Sequence, residues 1–165
     1  MAYLFKLTDS EYQLVIMANG KIYANEDSSY MFWNIGLNNS DGFQYLDTSR
    51  VKNMEGMFGH KTELEGNLTI GYQVTFSLDL RSFDTSNVTN MAVMFYNRKN
   101  LKQILVGPLW NTDNVVNSRQ MFYRNEILAG ERGTNYDSSH SDKEYARLDK
   151  EGSPGYFSSR YIQEY

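Results

Sequence analysis

One twelve-residue pattern occurs three times in this 165-residue chain, and it constrains the fold more than any other feature. Residues 47–58 read DTSRVKNMEGMF, residues 84–95 read DTSNVTNMAVMF, and residues 111–122 read NTDNVVNSRQMF. Val51 and Val88, Asn53 and Asn90, Met54 and Met91, Met57 and Met94, and Phe58 and Phe95 coincide. The third copy keeps Val115, Asn117, Met121 and Phe122, and carries Ser118 where the others carry methionine. A decayed fourth copy ends at Met31-Phe32. Successive Met-Phe pairs are 26, 37 and 27 residues apart. The unit is therefore near 26 residues long, and the middle interval holds roughly ten extra, expected within 60–76.

Each unit has a physical reading. Val88, Met91, Met94 and Phe95 follow an i, i+3, i+6/i+7 spacing, which predicts one apolar stripe of a short helix. Ser49 and Ser86 stand where an N-cap belongs, with Asp47 and Asp84 close by to favour a helix start. Before each stripe lies a run expected to be extended, at 43–46, 77–80 and 102–106. Leu78 and Leu80 alternate around Asp79, and Ile104 and Val106 alternate around Leu105, which is strand periodicity. A strand and a short helix every 26 residues or so is the leucine-rich-repeat pattern. No unit can bury its stripe alone, so neighbours must stack. The expected fold is α/β: a short leucine-rich-repeat-like solenoid in one domain. Its parts are capping strands in 1–24, repeats in 25–128 and a C-terminal cap in 129–165. Tyr3 to Leu7 and Tyr12 to Ile16 read as two strands around a polar turn, a hairpin suited to cap the first repeat. The Met-Phe pairs read as core. Asn53, Asn90 and Asn117 read as a satisfied hydrogen-bond ladder between repeats.

Four segments point to a known family. The motif F-D-T-S-x-V-T-N-M-x-x-M-F at 83–95 resembles the BspA-like leucine-rich repeat of bacterial surface proteins. Residues 20–32 resemble the entry into such an array, 101–122 its last repeat and 133–157 the cap that follows it. The resemblance covers about residues 20–158. It implies a non-catalytic scaffold for protein–protein contact, often adhesion to host or matrix proteins, with no cofactor.

Composition narrows the function further. The formal net charge is −4, which disfavours a general grip on nucleic-acid phosphates. There is no cysteine, so no disulfide, thiolate zinc site, iron–sulfur cluster or cysteine nucleophile is available. Residues 1–47 hold two basic and six acidic side chains, whereas 98–132 hold six basic and three acidic. That gradient could steer a charged partner. No signal peptide is visible in residues 1–20, and no apolar run is long enough to span a bilayer. The expected location is the cytoplasm for a complete chain and the cell surface for a piece of a secreted parent. A monomer is expected, because a cap-like segment follows the array.

Candidate chemistry is sparse. His60 and His140 are the two histidines. Asp137 and Asp142 beside His140 suggest a carboxylate-oriented base or a metal site, but turn formation in a cap explains them more simply. Glu63 and Glu65 read as solvated charges. No G-x-S-x-G elbow or phosphate loop is present. No catalytic, metal or cofactor residue is therefore expected. A partner should meet the side-by-side strands, at the residues that alternate with the core: Tyr45, Asp79, Arg81, Gln103 and Leu105. Two functions fit. One is a protein-binding module, possibly adhesive. The alternative is a small cytosolic inhibitor encoded by a phage or mobile element, an anti-CRISPR protein for example, that blocks a host enzyme or nuclease.

Overall fold

The computed structural model describes residues 2–6, 12–16, 19–37, 40–61 and 77–161, the first two segments by backbone alone. Strand β1 (Ala2–Lys6) pairs antiparallel with β2 (Tyr12–Ile16), Ala2 opposite Ile16 and Lys6 opposite Tyr12. The turn of this hairpin and most of the expected insertion lie outside the described residues.

The strand-plus-helix solenoid is not what forms. Among the described residues there is no α-helix, only 3-10 turns at Asp41–Tyr45, Ser138–His140 and Lys143–Tyr145. Parallel pairing is split between two small sheets. One holds β3 (Ile22–Tyr23) and β4 (Leu46–Asp47); the other holds β5 (Ser77–Leu80), β6 (Gln103–Val106) and β7 (Phe157–Ser158), in the order β5-β6-β7. No single sheet runs along the array. The strand expected over 43–46 survives only at Leu46, because residues 41–45 close into the first 3-10 turn.

The helix fails for a local reason. The backbone is left-handed at Tyr30 (φ 57°), Gly56 (58°), Val93 (49°) and Gln120 (55°), the same position in all four copies. A residue in that conformation cannot continue a right-handed helix. Three-residue turns replace it, so the apolar spacing of three persists without a helix. The N–H of Met57 donates to the carbonyl of Met54, and that of Gly59 to Gly56. The N–H groups that alternate with these leave the copy altogether. Gly56 donates to the carbonyl of Ala92 (2.9 Å) and Phe58 to that of Met94 (2.9 Å). Val93 and Phe95 donate in the same way to Arg119 and Met121. Each copy thus lies on the next in parallel register, with bridges linking Asp27, Asn53, Asn90 and Asn117 in turn.

The asparagines do two jobs there. Asn53 Oδ1 accepts from the N–H of Glu55 (3.0 Å), and Asn90 Oδ1 from that of Ala92 (3.1 Å), closing turns that compete with helix. Their amide nitrogens reach the preceding copy, Asn53 to Asp27 Oδ1 (3.0 Å) and Asn90 to Glu55 Oε2 (2.9 Å). The expected ladder between repeats is thus found at Asn53 and Asn90, each rung ending on a carboxylate, while Asn117 is tied to Asn90 by a backbone bridge. The capping role assigned to Ser49 and Ser86 passes to their neighbours, since Asp47 Oδ1 and Asp84 Oδ1 accept the serine N–H groups. Thr48 and Thr85 add a bridge between copies. The Thr85 hydroxyl donates to the carbonyl of Asn111 (2.7 Å) and accepts from its N–H (2.8 Å); Thr48 does the same with Asp84.

Phenylalanines form the centre. Phe32 stacks on Phe58 (5.5 Å, 10°), Phe58 on Phe95 (5.9 Å, 4°) and Phe95 on Phe122 (5.6 Å, 12°). Met54, Met57, Met91, Met94 and Met121 are fully buried around this column. The segment after the array closes its end: Phe122 donates to the carbonyl of Ser141 (2.8 Å), and the N–H of Gln120 to Asp142 Oδ1 (2.8 Å). Phe157 and Tyr156 then pack edge-on against the last rings, and Trp110 edge-on against Phe157.

Candidate protein-binding surface

The five residues expected to face a partner do not share one exposure. Tyr45, at the end of the first 3-10 turn, is 62% exposed, and Arg81 is exposed just after β5. Asp79 is half-buried. Gln103 and Leu105, expected to face outwards, are buried. Leu105 does alternate away from the core, since Ile104 and Val106 belong to the apolar cluster and Leu105 does not. It is fully buried all the same. Strand β7 pairs beside β6, with Ser158 against Leu105, and Gln103 Nε2 donates to the carbonyl of Arg160 (2.7 Å). Strand β7 comes from beyond the repeats, where the repeat pattern gives no warning of it.

What remains exposed is a tyrosine-rich face. Arg81 forks onto Asp79, with Nε 2.9 Å from Oδ1 and Nη2 2.6 Å from Oδ2. These bonds hold the Asp79 carboxyl below its ordinary range. The Arg81 guanidinium lies 5.6 Å over the ring of Tyr161, whose hydroxyl reaches Asp79 Oδ2 (3.4 Å). The N–H of Asp79 donates to Ser40 Oγ (2.9 Å), tying this group to the turn that carries Tyr45. Next to Tyr45, β4 pairs with β3, whose Tyr23 is 59% exposed beneath the Arg50 guanidinium (5.5 Å). Lys21 Nζ meets Asp47 Oδ2 at 3.4 Å along the same edge. Tyr23, Arg50 and Tyr161 were not among the expected residues. Tyr23 and Arg50 stand outside the repeat's apolar positions, and Tyr161 follows the last strand.

A second aromatic row follows the phenylalanine column, half-buried at Trp33, Tyr96 and Tyr123. The residue after each Phe is Trp33, Gly59, Tyr96 and Tyr123. Trp33 leans across the second copy into space that only glycine leaves: a Cβ on Gly59 would lie 2.1 Å from its ring. It stacks on Tyr96 (6.4 Å), and Tyr96 stacks on Tyr123 (5.3 Å). Tyr30 meets Trp33 edge-on (5.3 Å), and Arg124 lies over Tyr123 (5.5 Å). Aligning the copies exposes this aromatic position in the sequence itself.

The candidate catalytic groups are committed elsewhere. Asp137 Oδ1 accepts from the N–H (2.8 Å) and hydroxyl (2.7 Å) of Ser139, capping the turn Ser138–His140. The His140 ring stacks on Tyr145 (4.4 Å). His60 is half-buried; burial first, then the Arg98 charge, hold its imidazole below the usual range. Arg98 is itself buried and has its pKa lowered by burial to about 10, so it stays charged at neutral pH. Its guanidinium donates to the carbonyls of Phe58, Ile35 (3.0 Å) and Phe32 (3.5 Å), fastening three copies together. Among the described residues no group of three or more His, Asp or Glu side chains is placed to hold a metal ion, and no helix is long and apolar enough to cross a membrane.

Copies laid in register, a shared aromatic core and exposed tyrosines on a framework of fixed rungs define a stacked-repeat protein. Residues 21–131 match the family model described as "Mycoplasma protein of unknown function, DUF285", and the chain belongs to that family. No curated protein and no solved structure matches it.

Proposed function

We propose that the chain is a non-enzymatic protein-binding module of the BspA-like repeat type, with adhesion to a host or matrix protein as its use. The observation that carries the reading is the tyrosine face. Tyr23, Tyr45 and Tyr161 are each more than half exposed, and Arg50 and Arg81 lie over the first and last of them. Tyrosine and arginine are among the residues that dominate the energy of protein interfaces, and tyrosine presents much area for few lost rotamers. Here they are held by strand ends and a bidentate ion pair, so little ordering remains to be done on binding. The resemblance of 83–95 to the BspA-like motif agrees with this use.

Affinity capture with the whole chain tests the reading, with host extracellular proteins and bacterial lysate offered in parallel. The proposal expects a matrix or host surface protein, and expects Tyr45→Ala with Arg81→Ala to weaken capture at least tenfold while the melting temperature hardly moves. Capture of a cytosolic enzyme or nuclease with loss of its activity would replace adhesion by inhibition. Undiminished capture by the double variant would remove the tyrosine face from the account.

A further inference from the structure

We infer that the open end of the stack, at its first copy, binds a lysine- and arginine-rich segment of another protein. The stack has a hydrogen-bond direction. In the second copy the carbonyls of Asn53, Glu55, Met57 and Gly59 each accept an N–H from the first copy, at 2.8–3.0 Å, and the third copy receives the second in the same way. Asp27, Ser29, Met31 and Trp33 hold these positions in the first copy. Among the described residues nothing donates to their four carbonyls. From Ser28 to Asn34 this edge has no donors to offer. The even-numbered N–H groups go forward to the second copy. Of the others, that of Ser29 turns to Asp27 Oδ1 (3.0 Å), that of Met31 to the carbonyl of Ser28 and that of Trp33 to the carbonyl of Tyr30. The N–H groups of Glu26 and Asp27 lie beside the row; their counterparts Lys52 and Asn53 share a single carbonyl, that of Glu26. The rung side chain changes sense as well. Asn53 and Asn90 reach back through an amide nitrogen, whereas Asp27, exposed at the same place, carries a carboxylate. Its Oδ1 takes the N–H of Ser29 and the amide of Asn53, and among the described residues Oδ2 receives no hydrogen bond.

That polarity selects the occupant. A regular strand lays a carbonyl beside every N–H on its edge, so half of its groups would oppose carbonyls. The hairpin β1–β2 is of that kind and forms a sheet of its own. A second copy turned round brings two N–H groups against four carbonyls, and the middle carbonyls meet each other. Its other end spends the N–H groups of Gln120, Phe122 and Arg124 on Asp142, Ser141 and Tyr136, so no matching row of donors remains there. One metal ion does not suit the row either. The matching carbonyls of the second copy each meet a separate N–H, so the four point side by side and not at a common centre. Arginine and lysine side chains do suit it, because they carry several donors and no acceptor. The chain already treats stray carbonyls of its own in this way. The Arg98 guanidinium gathers those of Phe58, Ile35 and Phe32, and Lys143 Nζ gathers those of Thr112 and Val115 at the last copy. Charge agrees, since residues 1–47 hold six acidic side chains against two basic ones. Lys21, one of the two, is paired with Asp47 at 3.4 Å. This site goes beyond the tyrosine face and does not rest on it.

The test is an NMR titration of the whole chain with a peptide of eight arginines, read at the backbone carbonyl carbons. A peptide of alternating glycine and serine of the same length is the uncharged control. Saturable shifts concentrated at Asp27, Ser29, Met31 and Trp33 are expected, with the carbonyls of Glu55 and Met57 unmoved and the control without effect. Asp27→Asn puts in the residue that the inner copies carry, keeps an oxygen for Ser29 and Asn53, and removes the charge. It should weaken arginine-peptide binding about three- to fivefold. Should that variant fail to fold, Asp27→Ser, which still offers an oxygen to the Ser29 N–H, takes its place. Shifts scattered over other acidic side chains with these four carbonyls unmoved overturn the inference. So do an absence of binding, equal binding of the control peptide, or binding that loss of the Asp27 charge leaves unchanged. Movement of the same carbonyls with protein concentration alone would mark a second copy as the occupant, and movement with calcium ions alone a metal site; either overturns the inference too. Because the readout is the first copy's carbonyls, its failure leaves capture through the tyrosine face standing.

Discussion

Val93 offers a direct way to distinguish a turn from a helix at the repeat. Its φ of 49° is the left-handed conformation, held by a β-branched residue where the second copy has Gly56. For an L-residue that conformation costs roughly 1–2 kcal/mol, and branching at Cβ adds to it. Asparagine adopts it readily, so Val93→Asn should recover most of that cost. Val93 is half-buried, and losing its methyl groups returns about 0.5–1 kcal/mol. The net expectation is a gain of about 0.5–1 kcal/mol, or roughly 1–4 °C in Tm for a chain of this size. Val93→Gly gives up a further ~0.5–1 kcal/mol in backbone entropy and should come out near neutral. Val93→Ala loses the branch yet keeps the conformational cost, so it should fall below Asn. A helix predicts the reverse order, with Ala best by about 0.6 kcal/mol over Val and Gly worst. Urea unfolding of the four proteins reads the order. Finding Ala most stable and Asn no better than Val would refute the turn.

Further outcomes follow from the bonds between copies and from the buried charges. Thr85→Val should cost about 2–3 kcal/mol in urea unfolding, because it orphans both the carbonyl and the N–H of Asn111, while Thr85→Ser should cost under about 1 kcal/mol. His60 is held below its usual range when folded, so below about pH 6.5 the unfolded chain takes up the proton first. Its share of stability is whole above that pH and is lost as the pH falls through it. Part of the fall in Tm between about pH 7 and 5 should accordingly vanish in His60→Gln. Arg98→Met should raise the His60 titration midpoint in an NMR titration and also lower stability by at least ~2 kcal/mol, since three carbonyls lose their donor. An unchanged midpoint would show that the Arg98 charge does not reach the imidazole.

Much of this was legible before any coordinates. The burial of Met57, Phe58, Met94 and Phe95, the Asn53–Asn90–Asn117 rungs and strand β5 all follow from aligning the copies. The helix was misread because consecutive three-residue turns repeat apolar residues at nearly the helical spacing. Only a left-handed residue before each Met-Phe pair separates the two, and Tyr30, Val93 and Gln120 do not advertise one as Gly56 does. Leu105 was expected outside because it alternates with the core residues of β6, and it does stand apart from their cluster, yet it is fully buried; the strand beside it, β7, has no counterpart in the repeat. Arg98 gave no signal at all: a lone arginine after Phe95-Tyr-Asn reads as surface until three carbonyls of the two preceding copies are seen to converge on it.

The central claim is that the copies lie directly on one another, in register and in chain order. The chain has no cysteine, so engineered pairs can test it cleanly. Asn53 and Asn90 are parallel neighbours, as are Asn90 and Asn117. Layers about 4.8 Å apart fall within the 4.4–6.8 Å that a disulfide spans between Cα atoms, and two layers, about 9.6 Å, do not. Oxidation under mild conditions should therefore close Asn53→Cys with Asn90→Cys, and Asn90→Cys with Asn117→Cys, and leave Asn53→Cys with Asn117→Cys open. Ready closure of the skipped pair, or failure of both adjacent ones in folded protein, would contradict the stack.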